Sequence, residues 1–127
     1  MARAPRPTPA ELEILRILWE QGPSTVRDVQ ERMERERRTG YTTVLKLLQI
    51  MTEKDLVRRD ETARAHVYAA RLPEQQTQQQ LVRDLVDRAF GGSARKLVMQ
   101  ALSTRKASRE DLSRIRELLD QLEGEER

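Results

Sequence analysis

The chain has 127 residues, with 24 Lys+Arg against 21 Asp+Glu, a formal net charge of +3, one His and no Cys. That length suits one compact domain, or a small domain with an assembly element, and is too short for two ordinary cores. Without Cys, and with His66 as the single histidine, disulfides, thiolate catalysis and nearly every one-chain zinc arrangement are excluded, so no metal and no cofactor is expected. Residues Met1 to Pro7 hold two Pro and two Arg without apolar periodicity and read as a flexible arm. Thr8, Pro9 and Glu11 spell a capping box with Pro in the first turn, and Leu12, Leu15, Leu18 and Trp19 then form an apolar face that Gly22-Pro23 ends. Trp19 reads as core, with an indole N–H that needs a partner. Glu11 and Glu13 belong to the helix start and are not an acid/base pair, because residues two apart face different ways.

A second cap pattern runs from Thr25 to Asp28, followed by the stripe Val26, Val29 and Met33 and the charged run ERERR before Gly40. Tyr41 to Lys54 carries Val44, Leu47, Leu48 and Met51 at spacings of three, one and three, which gather on one helical face and leave Thr42, Thr43, Lys46, Gln49 and Ile50 elsewhere. Leu56 to Asp60 and Ala65 to Ala70 fit short strands joined by Glu61 to Arg64. Two helices, then a third, then a ribbon is the order of a winged helix-turn-helix. The expected fold is therefore mainly α with a small β-wing.

Arg71-Leu72-Pro73 marks a boundary, after which the chain turns helical. Leu81, Val82, Leu85, Val86, Ala89 and Phe90 make a broad apolar stripe that Gly91-Gly92 breaks. Ser93 caps a shorter helix with Leu97, Val98, Ala101 and Leu102, and Ser108 to Asp111 caps a last one with Leu112, Ile115, Leu118, Leu119 and Leu122. Small helical cores without a wider partner in the chain suggest dimerisation through this half, with Leu81, Leu85, Phe90, Leu97, Leu102 and the five apolar residues of the last helix between subunits.

The charge is uneven: Met1 to Arg71 holds 14 Lys+Arg against 11 Asp+Glu, and the rest of the chain is balanced at 10 against 10. Thr42, Thr43 and Lys46 read either as DNA contacts at the start of a recognition helix or as a solvated face. Arg58, Arg59 and Arg64 can grip phosphates from the wing, and they also suit a charged ribbon edge that discourages strand pairing. Arg35, Arg37 and Arg38 are interrupted by Glu34 and Glu36, and that run reads as a solvated helix end. His66 reads as packing or surface. No Ser-His-Asp set, phosphate-binding glycine loop or carboxylate cluster near the histidine is present, which places enzyme activity last. No apolar run approaches the roughly 18 to 20 residues of a membrane span, and MARAPRPTPA has no apolar signal core, so a cytoplasmic location without membrane insertion is expected.

ELEILRILWEQGPSTVRDVQERM, then GYTTVLKLLQIMTEKDLVRRD and a closing VYAA, resemble the BlaI/MecI family of penicillinase and methicillin-resistance repressors. The resemblance continues through LVRDLVDRAFGGSARKLVMQAL and SREDLSRIRELLDQLE, nearly the whole chain. It implies a homodimeric transcriptional repressor on a palindromic duplex operator; with the boundary read above, the DNA-binding domain is expected over 8–71, the dimerisation region over 73–122 and a short tail over 123–127. It favours DNA contact by Tyr41, Thr42, Thr43, Lys46 and Gln49, although Leu45 and Ile50 stand where the staphylococcal repressors look more basic. It also implies a membrane-anchored sensor protease as partner, with a scissile bond carried over to Gln100-Ala101, where the staphylococcal proteins have Asn-Phe. Related copper-responsive repressors carry C-terminal cysteines that this chain lacks. The reading from a different class is a protein-interaction module, suggested by Glu31, Glu34, Glu36 and Glu53 near the proposed DNA face.

Overall fold

The computed structural model describes residues 6–125. The first helix, α1 (Pro9–Gln21), starts as its capping box predicts. Thr8 Oγ1 accepts from Glu11 N at 3.2 Å and Glu11 Oε1 accepts from Thr8 N at 2.9 Å, so two first-turn donors are satisfied reciprocally. Gly22, at φ 83, ends it by donating to Leu18 O. Ser24–Thr25 then form a two-residue strand, β1, before α2 (Val26–Glu34) opens on the Thr25/Asp28 box. This strand was not expected, because two residues carry no alternation to read.

The third helix, α3 (Tyr41–Glu53), closes in a tight reversal with Asp55 at φ 60. Leu56 N donates to Met51 O at 2.9 Å and Asp55 N to Thr52 O at 3.2 Å, the pair of bonds that defines a Schellman motif. Both Leu56 and Met51 are buried, so the reversal is also stapled by apolar packing. The chain leaves it as β2 (Val57–Asp60) and returns as β3 (Val67–Ala70), with Val57 opposite Ala70 and Asp60 opposite Val67. β1 adds to the far side of β3, giving a three-stranded antiparallel sheet in the order β1-β3-β2.

One core holds these elements together: Ile14, Leu15, Ile17 and Leu18 from α1, Val26, Val29 and Met33 from α2, Val44, Leu48 and Met51 from α3, and Leu56, Val57 and Tyr68. The face of α1 is wider than the expected Leu12-Leu15-Leu18-Trp19 stripe. Ile14 and Ile17 are buried while Leu12 and Trp19 are only half-buried, because α1 packs against α2, α3 and β3 at once. Trp19 Nε1 finds its partner in Leu72 O at 3.0 Å.

The compact unit that carries this core extends through Val82, past the boundary at Arg71 to Pro73 that composition suggested. Arg71 N donates to Leu56 O at 3.0 Å, and Thr77 is buried, so the first turns of α4 (Glu74–Ala89) belong with the winged unit. Pro7 is half-buried and Arg6 O accepts from Lys54 Nζ at 3.3 Å, so those two residues of the expected arm are tied down; residues 1–5 lie outside the described ones. Gly91 and Gly92, at φ 56 and 81, end α4.

In the second unit, α5 (Ala94–Thr104) starts at Ser93, whose hydroxyl accepts from Lys96 N at 3.2 Å, and α6 (Arg109–Glu125) starts at Ser108, which accepts from Asp111 N at 3.0 Å. Two expectations are corrected here. Residues 123–125 continue α6 instead of forming a tail, since nothing in LEGE breaks a helix strongly. No residue of α5 or α6 is buried, so these helices have no core of their own within the described chain.

Candidate nucleic-acid interface

Burial of Val44, Leu48 and Met51 fixes the roll of α3 and therefore what it shows outward. Tyr41, Thr42, Thr43, Lys46, Gln49 and Ile50 are all exposed. Thr42, Lys46, Gln49 and Glu53 follow one another at steps of four, three and four, which makes a polar row opposite the core face. The row is cationic and neutral toward the helix start and acidic at Glu53. Gly40, the N-cap, offers no side-chain acceptor, so the first-turn N–H groups and the positive end of the helix are left open. Leu45 is half-buried against the core, which suits an apolar residue there.

The three wing arginines separate. Strand alternation puts Arg59 on the face of Val57 and Tyr68, and Arg58 on the opposite face beside Ala69. Arg59 Nη2 also pairs with Glu61 Oε1 at 2.6 Å, so part of its charge is already answered. Arg64 lies in the connection between β2 and β3, exposed, with no ion-pair partner among the described residues. The same connection is braced by Asp60, whose Oδ1 accepts from Thr62 N at 2.9 Å and from Thr62 Oγ1 at 2.7 Å. Those two bonds hold the Asp60 carboxyl below its ordinary range.

Two residues without an assigned role join this surface. The Arg27 guanidinium, from the first turn of α2, lies 5.9 Å from the centroid of the Tyr41 ring, a cation–π contact that links α2 to the start of α3. An open cleft runs between the wing and the two helix starts, lined by Arg27, Tyr41, Leu45, Arg64, His66 and Tyr68 among others. Arg27 drew no reading from the sequence and His66 only one as packing or surface, because each is isolated along the chain and only folding brings them to one cleft.

Some of the acidic residues nearby are used locally. Glu34 Oε1 accepts from Thr39 N at 3.1 Å, Glu36 and Glu20 pair with Arg32 at 3.3 and 3.4 Å, and Arg37 pairs with Glu13 at 3.0 Å. Three of the five residues from Glu34 to Arg38 are thus engaged locally. Among the described residues no group of His, Asp and Glu could hold a metal ion, and no helix is long and apolar enough to cross a membrane.

In the C-terminal half, Leu81, Phe90, Leu97, Leu112 and Ile115 are half-buried, while Leu85, Leu102, Leu118, Leu119 and Leu122 are exposed. Gln100 and Ala101 sit exposed within α5, with Thr104 Oγ1 donating back to Gln100 O at 3.0 Å.

The family model described as "Penicillinase repressor" matches residues 7–121. The chain is 39% identical over 70 residues to the transcriptional regulator BlaI of Mycobacterium tuberculosis (strain CDC 1551 / Oshkosh), covering 54% of this chain and 51% of that protein. It thus spans about half the length of the curated relatives it matches. Among solved structures, the monomeric form of Bacillus licheniformis BlaI in complex with the blaP half-operator aligns with TM-score 0.50 at 20% identity, over 59% of this chain and 92% of that one. H. salinarum RosR aligns with TM-score 0.54 at 17% identity, over 96% and 98% of the two chains. At these identities the structural likenesses speak to the fold, a winged helix.

Proposed function

Because the chain belongs to the penicillinase repressor family, we propose that it is a homodimeric transcriptional repressor that binds a palindromic duplex operator through α3 and the wing. The observation that carries this reading is the two-sided character of α3: a buried Val44-Leu48-Met51 face fixes the helix on the core and leaves an open N-terminus and the row Thr42-Lys46-Gln49 outward. That is the geometry in which a helix start enters a major groove. Tyr41, Thr42, Thr43, Lys46 and Gln49 would face the bases and adjacent phosphates, and Arg58, Arg59 and Arg64 would meet flanking phosphates from the wing. The B. licheniformis relative forms a complex with the blaP half-operator, which supports operator DNA as the partner.

The uncovered leucines of α4 to α6 support assembly with a second copy, since a solvated aliphatic face of this kind gains most by burial. Two winged units would then place their recognition helices roughly 34–36 Å apart on the duplex. Cleavage at Gln100-Ala101 by a membrane-anchored sensor protease would separate part of that face from the DNA-binding unit and release the operator, because each monomer alone loses the second half-site. This reading places the protein in the cytoplasm with its operator. The exposure of α5 supports access for such a protease.

The test is fluorescence anisotropy on a labelled duplex from the region upstream of the coding sequence, with a scrambled duplex as competitor, at two salt concentrations. Saturable binding that survives the competitor and weakens with salt is expected. Absence of binding at low salt would transfer the reading to a protein-interaction module.

A further inference from the structure

We infer that the cleft between Arg27, Arg64 and His66 is a seat for one phosphodiester of duplex DNA, and that protonated His66 is the third cation holding it. This site rests on the duplex-binding reading above and adds residues to it. Three separate elements supply the three groups: the first turn of α2, the β2–β3 connection, and the residue that leads into β3. They converge beside Tyr41, at the open start of α3, where the path of a DNA backbone flanking an inserted recognition helix would pass. Arg27 is not a loose surface charge, because the Tyr41 ring beneath it restricts the guanidinium. Arg64 and His66 are held at the cleft by the wing turn, which the Asp60–Thr62 bonds brace.

Charge decides the chemistry. Neighbouring carboxylates are turned to other partners: Asp60 is engaged by Thr62, Glu61 by Arg59, and Asp28 by the backbone N–H of Thr25. Tyr41, Tyr68 and Thr25 also line the cleft. A cleft with two guanidiniums and an imidazole selects an anion, and the flat arginine donors suit phosphate oxygens. Imidazole is the side chain whose charge changes between pH 5 and 8, and this chain has one histidine and no cysteine. A phosphate seated between the two guanidiniums and the imidazole favours the imidazolium, so DNA binding at this seat takes up a proton.

The probe is a labelled duplex of random sequence at low salt, because a phosphate contact is independent of base sequence. Anisotropy at pH 6 and pH 8 is expected to show about three- to tenfold tighter binding at pH 6 for the wild type, the range of a proton-linked step of up to one pH unit. His66→Gln should remove that difference. Arg27→Gln should weaken binding at both pH values and reduce the slope of log affinity against log salt by about 0.9. Both positions are exposed, so neither change should unfold the domain. Equal affinity of the wild type at the two pH values, or an unchanged pH difference in His66→Gln, overturns the site while duplex binding stands. No binding at either pH overturns duplex binding itself, and the site with it.

Discussion

Lys54, the C-cap of α3, donates from Nζ to Glu11 Oε1, in the first turn of α1, at 2.6 Å. The Glu11 side chain is 3% exposed and that of Lys54 28%, so the contact is a nearly buried pair that ties the end of α3 to the start of α1. Burial pushes the Glu11 carboxyl upward, yet the hydrogen bond from Lys54, the backbone N–H of Thr8 and the Lys54 charge outweigh it, and the net shift is downward from 4.5. A carboxyl held low when folded stabilises the fold above its ordinary value and loses that contribution as pH falls through the lower folded value. The thermal stability of the domain should therefore be level above about pH 5 and drop in more acid solution. Lys54→Met, which leaves the carboxylate buried with Thr8 alone, should cost about 2–3 kcal/mol at pH 7, at the low end for a broken buried pair because Lys54 is partly solvated. Melting curves of both proteins between pH 3 and 7 check this, and equal stability at neutral pH would remove the pair from the list of contributors.

Asp55 takes the left-handed position that closes α3, where a side chain is strained and glycine is not. Asp55→Gly should stabilise the winged unit by about 0.5 kcal/mol, the relief of strain exceeding the extra freedom of the unfolded chain. Chemical denaturation measures it, and a loss of stability would mean that the Asp55 side chain contributes something the geometry does not show.

Lys46 stands in the middle of the outward row of α3. Lys46→Ala should weaken binding to operator and scrambled duplexes by similar factors and lower the salt slope by about 0.9, as removal of one phosphate contact does. A loss confined to the operator would instead assign Lys46 to a base edge. Unchanged binding at matched salt would place it off the interface.

Leu118, Leu119 and Leu122 share one face of α6 and are about half exposed, at 52, 52 and 49%. If that face is covered by a second copy, Leu118→Asp with Leu122→Asp should convert a sedimenting dimer to monomer while the melting of the winged unit persists. A wild-type protein that sediments as monomer at micromolar concentration and stays so on DNA would end the homodimer proposal.

The helices were legible in the residues themselves. Caps at Thr8, Thr25, Ser93 and Ser108, stops at Gly22 and Gly91-Gly92, and the apolar periodicity of α3 are local signals, set by hydrogen bonds and side-chain spacing within one turn or two. The outward row of α3 followed from the same periodicity, since naming the buried face names the other. What folding decided was everything that joins distant parts of the chain. Pairing of Ser24 with Tyr68, burial of Glu11 under Lys54, the bond from Trp19 to Leu72 and the meeting of Arg27, Arg64 and His66 each link residues with no shared local pattern. Such contacts arise only when the aliphatic core closes and brings elements within reach, so a reading along the chain finds where a helix lies but not which side chain on another element answers it.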